Sequence, residues 1–129
     1  MEQTVVFRAG EHGVGRMRIP GMVSSTRGTL LAFCEARDGG DGTPTDLVMK
    51  RSEDGGRSWG PLQLVVKARG MDAVMNPCPV VDAKTKTIHC LCNVFPSGSM
   101  ELHRQPGAVR TIAVKSRDDG VCWSSPKDI

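Results

Sequence analysis

The 129-residue sequence predicts an all-β fold of short antiparallel strands in repeated units, and three observations carry that prediction. An eight-residue pattern, Ser52-Glu53-Asp54-Gly55-Gly56-Arg57-Ser58-Trp59, recurs 64 positions later as Ser116-Arg117-Asp118-Asp119-Gly120-Val121-Cys122-Trp123. β-Prone runs lead into both copies, Leu47-Val48-Met49-Lys50-Arg51 before the first and Thr111-Ile112-Ala113-Val114-Lys115 before the second. No segment holds apolar residues at the i, i+3, i+4, i+7 spacing over three turns, so almost no helix is expected. A repeat of about sixty residues, made of strands and turns, points to radially repeated four-stranded sheets, the blades of a propeller.

In chain order, residues 4–7 (Thr-Val-Val-Phe) read as a first strand. Residues 29–34 (Thr-Leu-Leu-Ala-Phe-Cys) form a continuous apolar run after the turn-like Arg27-Gly28, the mark of a buried strand. The run at 47–51 follows and feeds the first eight-residue turn. There the Asp carboxylate can accept nearby N–H groups, Gly supplies a positive φ, and the Trp folds back into an apolar seam. Further strands are expected at 62–66 and 79–81. In the second unit, residues 87–94 follow the turn-like Asp82-Ala83-Lys84-Thr85-Lys86, and alternation sets Cys90 and Cys92 on one strand face. Two units do not close a ring, which takes about four to eight blades. The sequence also stops at Ser124-Ser125-Pro126-Lys127-Asp128-Ile129, where the first unit continues into a strand. The chain therefore reads as an N-terminal fragment, with the remaining blades as its missing partner.

Composition excludes several classes. A net charge of +3 with 24% charged residues gives no nucleic-acid-coating surface. The apolar stretches are too short for a transmembrane segment, and the N-terminus lacks the basic and apolar regions of a secretory signal. Five cysteines cannot all pair within the chain, which favours a reduced, cytoplasmic setting. Cys90-x-Cys92 has the wrong spacing for a zinc knuckle, so no metal is expected. The chain holds three Phe and two Trp but no Tyr.

Several motifs in order carry a specific resemblance. Arg18-Ile19-Pro20, the 29–34 run, Glu35-Ala36-Arg37 and the two S-x-D-x-G-x-[TSC]-W boxes together resemble the sialidase (neuraminidase) family. The first is similar to that family's [FY]-R-I-P motif, with Met17 in the aromatic position. The boxes at 52–59 and 116–123 are similar to its Asp boxes, with Cys122 in place of the usual Thr. Met75-Asn76-Pro77-Cys78-Pro79 resembles animal sialidases of the cytosolic and plasma-membrane type. The resemblance covers nearly all of residues 1–129. It implies roughly the first two blades of a six-bladed β-propeller.

The resemblance also implies roles. Arg18 is the first of three arginines that clamp the sialic-acid carboxylate, a task suited to the planar guanidinium fork. Arg37 lines the pocket near the ring hydroxyls, and Glu35, on the same strand face, is placed to orient one of these arginines. The glycine-rich loop from Asp38 to Asp46 holds the acid/base carboxylate. Asp41 fits the family spacing best, Asp38 is second, and Asp46 is expected to support the next strand. Met75, Asn76 and Glu101 correspond to residues that line the glycan pocket. No cofactor is implied.

Sialidases use a tyrosine nucleophile, because a carboxylate nucleophile would repel the carboxylate on the anomeric carbon. The resemblance sets that tyrosine, its glutamate and two further arginines in later blades. The expected activity is that of an exo-α-sialidase acting with retention on glycoproteins, gangliosides or oligosaccharides, the isolated chain being inactive. A non-catalytic Asp-box propeller that binds glycans or scaffolds, and a different glycosidase on the same blades, stand beside it. Membrane association and a lysosomal setting stand beside the cytoplasm.

Overall fold

The computed structural model describes residues 3–40, 43–96 and 104–129, and eight strands lie among them. β1 (Arg16–Ser24), β2 (Leu30–Arg37), β3 (Thr45–Ser52) and β4 (Gln63–Val66) make one antiparallel meander. β5 (Ala73–Asp82), β6 (Thr87–Phe95), β7 (Arg110–Ser116) and β8 (Lys127–Asp128) make a second. A single parallel pair, Thr45 with Ala73, links the two, and the sheet stays open with β1 and β8 at its ends. A three-residue 3-10 turn, Glu11–Gly13, precedes β1.

Most of the expected strands form, and several run longer than their apolar cores. The run at 29–34 continues through Glu35 to Arg37, and the short segment at 79–81 is the middle of the ten-residue β5. One expectation is corrected. Residues 4–7 pair with no described strand, and the Phe7 ring lies 5.8 Å from the Lys50 ammonium instead. β-Branched and aromatic residues suit a pleated sheet, but a strand also needs a neighbouring edge to bond. Conversely, β1 forms where Pro20 and Gly21 interrupt any apolar pattern, because its pairing with β2 supplies the hydrogen bonds.

The two meanders pack face to face. Leu31, Phe33, Leu47 and Met49 of the first share one core with Ile88, Cys90, Cys92, Val94, Ile112 and Val114 of the second. Burying each large apolar side chain is worth about 1.5–3 kcal/mol, so this seam stabilises both units together. The innermost strands come close at Gly21, where an added Cβ would lie 3.1 Å from the Pro77 carbonyl and from the Pro79 ring.

The repeated boxes form matching turns at the end of each third strand. Ser52 Oγ donates to Asp54 Oδ1 at 2.8 Å and accepts from the Gly56 N–H at 2.8 Å, while Asp54 Oδ1 accepts from the Ser58 N–H at 2.9 Å. Ser116, Asp118, Gly120 and Cys122 repeat this with distances of 2.8, 2.8 and 2.9 Å. The second box docks on the first meander. Trp123 meets Phe33 edge-on, with ring centroids 5.5 Å apart. Asp119 accepts from Thr29 Oγ1 at 2.6 Å and pairs with Arg51, whose Nε donates to the Asp119 carbonyl at 3.0 Å. Gly120 has no side chain because Leu31 occupies the space a Cβ would need.

Candidate functional site

The site is built at the ends of β1, β2 and β5. Strands β1 and β5 break register at the same place, between Arg18 and Gly21 in one and between Met75 and Cys78 in the other. In each break a residue with positive φ stands before a proline: Ile19 (φ 50) before Pro20, and Asn76 (φ 58) before Pro77. A pre-proline residue resists the helical region, and a β-branched residue resists positive φ, so Ile19 carries local strain of about 1–3 kcal/mol. Such bulges re-aim the side chains beside them. Here those neighbours are Arg18 and Met75.

Register sets Arg18 directly across from Glu35, with Arg37 two residues further along β2. The face of β2 that holds Leu31 and Phe33 continues into Glu35 and Arg37, so a carboxylate (0% exposed) and a guanidinium (2% exposed) lie inside the seam. They are paired: Arg37 donates from Nε to Glu35 Oε2 at 2.8 Å and also from Nη2. The other oxygen, Glu35 Oε1, accepts the Asn76 backbone N–H at 2.7 Å from the second meander. Asn76 Nδ2 reaches Asn93 Oδ1 at 3.4 Å, and Asn93 Nδ2 reaches Thr111 Oγ1 at 3.3 Å.

Arg18 is exposed, and among the described residues no side chain pairs with its guanidinium. The two carboxylates best placed in sequence to neutralise it are engaged elsewhere. Glu35 serves Arg37 and Asn76, and Glu11 serves Arg8 and Lys50. Among the described residues, Arg18 thus presents a positive charge without a partner beside exposed Asn76 and half-buried Met75. That arrangement suits an anionic, hydroxyl-rich ligand.

The loop after Arg37 leads to a cleft of about 150 Å³ lined by Val14, Asp38, Asp46, Lys67 and Gly70 among others. Asp46 lies within β3 and supports the turn after β4, accepting from Lys67 Nζ at 2.6 Å and from the Ala68 N–H at 2.8 Å. The Asp46 hydrogen bond and charge raise the Lys67 ammonium above its ordinary value. Asp38 is exposed at the mouth. Asp41 and Glu101 lie outside the described residues. Among the described residues, no group of three His, Cys, Asp or Glu side chains could hold a metal ion, and no helix is long and apolar enough to cross a membrane.

The structure therefore brings together Arg18, Arg37, Met75 and Asn76, the last two from a strand on the neighbouring meander. Glu35 orients Arg37 rather than Arg18. Its bond to the second meander, and the matched bulges of β1 and β5, are not among the features expected from the sequence. A proline inside each strand, at Ile19-Pro20 and Asn76-Pro77, is the signal that marks the bulges.

Residues 28–129 match the BNR repeat-like domain family. Over its whole length the chain is 31% identical to sialidase-2 of Mus musculus and spans 36% of that protein. It is 33% identical to sialidase-4 of Homo sapiens, over 98% of the chain and 28% of that relative. Among solved structures, the Hadza microbial sialidase Hz136 superposes with a TM-score of 0.84 at 26% identity, covering 94% of this chain and 27% of that one.

Proposed function

Because the chain belongs to the BNR repeat-like domain family and has the fold of part of a sialidase β-propeller, we propose that it comes from an exo-α-sialidase. On this reading the protein releases terminal sialic acid from glycoproteins, gangliosides or oligosaccharides with retention. The observation that supports it most is an exposed Arg18 without a partner among the described residues, one strand register from the buried Glu35–Arg37 pair. A guanidinium not already neutralised can grip a carboxylate through two parallel hydrogen bonds.

The remaining residues take roles around that grip. Arg37, Met75 and Asn76 line the sugar, with Glu101 as an acidic contact. Asp41, on the glycine-rich loop, protonates the departing glycosidic oxygen and later takes a proton from the attacking water, with Asp38 as the second candidate. The 129 residues contain no tyrosine, so the phenol that attacks the anomeric carbon lies outside them.

Turnover of a fluorogenic sialoside by the full-length protein tests this. Arg18→Lys keeps the charge but loses the fork, and lowers kcat/KM on the order of 100-fold. Asp41→Asn lowers kcat more than Asp38→Asn does. The 129-residue chain alone gives no turnover. Glycan binding without turnover would return the protein to the non-catalytic class, and activity indifferent to Arg18→Lys would overturn the clamp.

A further inference from the structure

We propose that Glu35 is a positioning residue that sets two pocket groups at once, the Arg37 guanidinium and the Asn76 backbone. It thereby makes recognition of the sugar depend on the docking of the second meander against the first. The inference rests on the sialidase reading for what the pocket binds, and on this chain's own contacts for the brace.

Glu35 follows Leu31 and Phe33 in the row of β2 that faces the seam, with Arg37 beyond it, and it is fully buried. A carboxylate there loses its hydration and must be compensated by partners. Both oxygens are used. Oε2 takes Arg37 from two residues along the same strand, and Oε1 takes the Asn76 N–H from 41 residues away. Packing alone does not require this arrangement, since well-fitted apolar residues in place of a buried ion pair are often as stable or more so. What an ion pair with a third, backbone partner adds is direction.

The third partner is made available by the bulge. The β5 register breaks between Met75 and Cys78, which releases the Asn76 N–H from the ladder, and φ 58 turns that peptide toward Glu35. The hold extends through the Asn76 side chain to Asn93 on β6 and Thr111 on β7. One carboxylate thus connects the third strand of the second meander to the arginine of the first. In the equivalent bulge of β1 the positive-φ residue is Ile19, which offers no side-chain hydrogen bond, so the link runs one way, from the first meander into the second.

The experiment compares wild type, Glu35→Gln and Glu35→Asp in the full-length protein. It reads sialoside KM and kcat separately, hydrogen exchange of the peptide that contains Asn76, and the melting temperature. Gln keeps the shape but turns a donor toward one of two donors. The expected result for Glu35→Gln is a KM raised about tenfold, a kcat within about twofold of wild type, and faster exchange at Asn76. Glu35→Asp, still an acceptor at both oxygens, recovers part of the KM, and it carries the comparison should Glu35→Gln not fold. A merely structural role would lower the melting temperature and the active fraction while leaving KM unchanged, and that result overturns the proposal. A wild-type protein without sialidase turnover overturns the functional reading instead. The exchange arm then still decides the brace, which fails if Asn76 protection is the same in wild type and Glu35→Gln.

Discussion

At the scale of single residues, the cysteines show how burial sorts groups that the sequence presents alike. Burial raises the Cys34 and Cys92 thiols to about 11, and Cys90 is pushed up further by the same cause with its sulfur neighbours adding to it. Cys78 and Cys122 are exposed. Cys122 is raised by its hydrogen bond to the Asp118 carboxylate and by that charge. A thiol reagent reacts as the thiolate forms, so in the native chain at pH 8 two of the five thiols should react promptly, Cys78 ahead of Cys122. All five should react in denaturant, and prompt native labelling of Cys90 would contradict the fold of β6. The alternation of Cys90 and Cys92 was legible as a shared face. Which face lay inside was not.

At the scale of elements, the second box is more than a turn, because Asp119 clasps Thr29 and Arg51 on the other meander. Burial opposes its charge, but hydrogen bonds from Ser25 and Thr29 and the Arg51 guanidinium hold the carboxyl below its ordinary value. Asp119 sits at φ 66, where the first box has Gly55 at φ 74. Asp119→Gly therefore removes the clasp while relieving the backbone, and Asp119→Ala removes the clasp and keeps the strain. Urea unfolding should find both variants less stable, with Ala lower than Gly by about 1 kcal/mol. Equal stability of the two variants would mean that the positive φ costs nothing here. The box pattern itself, the strands on either side and the Asp and Gly roles were legible in sequence. The clasp was not, since one box has Asp where the other has Gly and only docking gives that difference a meaning.

For the whole molecule, acid should loosen the boxes. Hydrogen bonds from the Cys122 N–H and from Ser116 depress the Asp118 carboxyl to about 2, and those from Ser58 and Ser52 hold Asp54 well below the usual carboxylate range. A depressed folded-state pKa stabilises the fold above the unfolded value, near 3.8, and that contribution is lost as pH falls through the folded value. The urea midpoint should thus be flat with respect to these groups above about pH 5 and fall between about pH 4 and 2. Asp118→Asn should flatten the fall without removing it, because Asp54, Asp82 and Asp119 shift in the same direction. An unchanged profile in that variant would show that the second box does not bear on acid stability.

Local features can be read from the residues: strands from β-prone runs, two box turns from spaced Ser, Asp, Gly and Trp, and a chain with no tyrosine to offer a phenol. Those follow from steric preference and short-range hydrogen bonding, which act over a few residues. Only packing in three dimensions sets which buried face of β2 meets the second meander, what Glu35 pairs with there, and that Asn76 arrives beside it across 41 residues. It also decided that residues 4–7 make no strand while 16–24 do, because a strand exists only where another edge bonds it. Burial and pairing depend on what lies opposite in space, and no local pattern contains that.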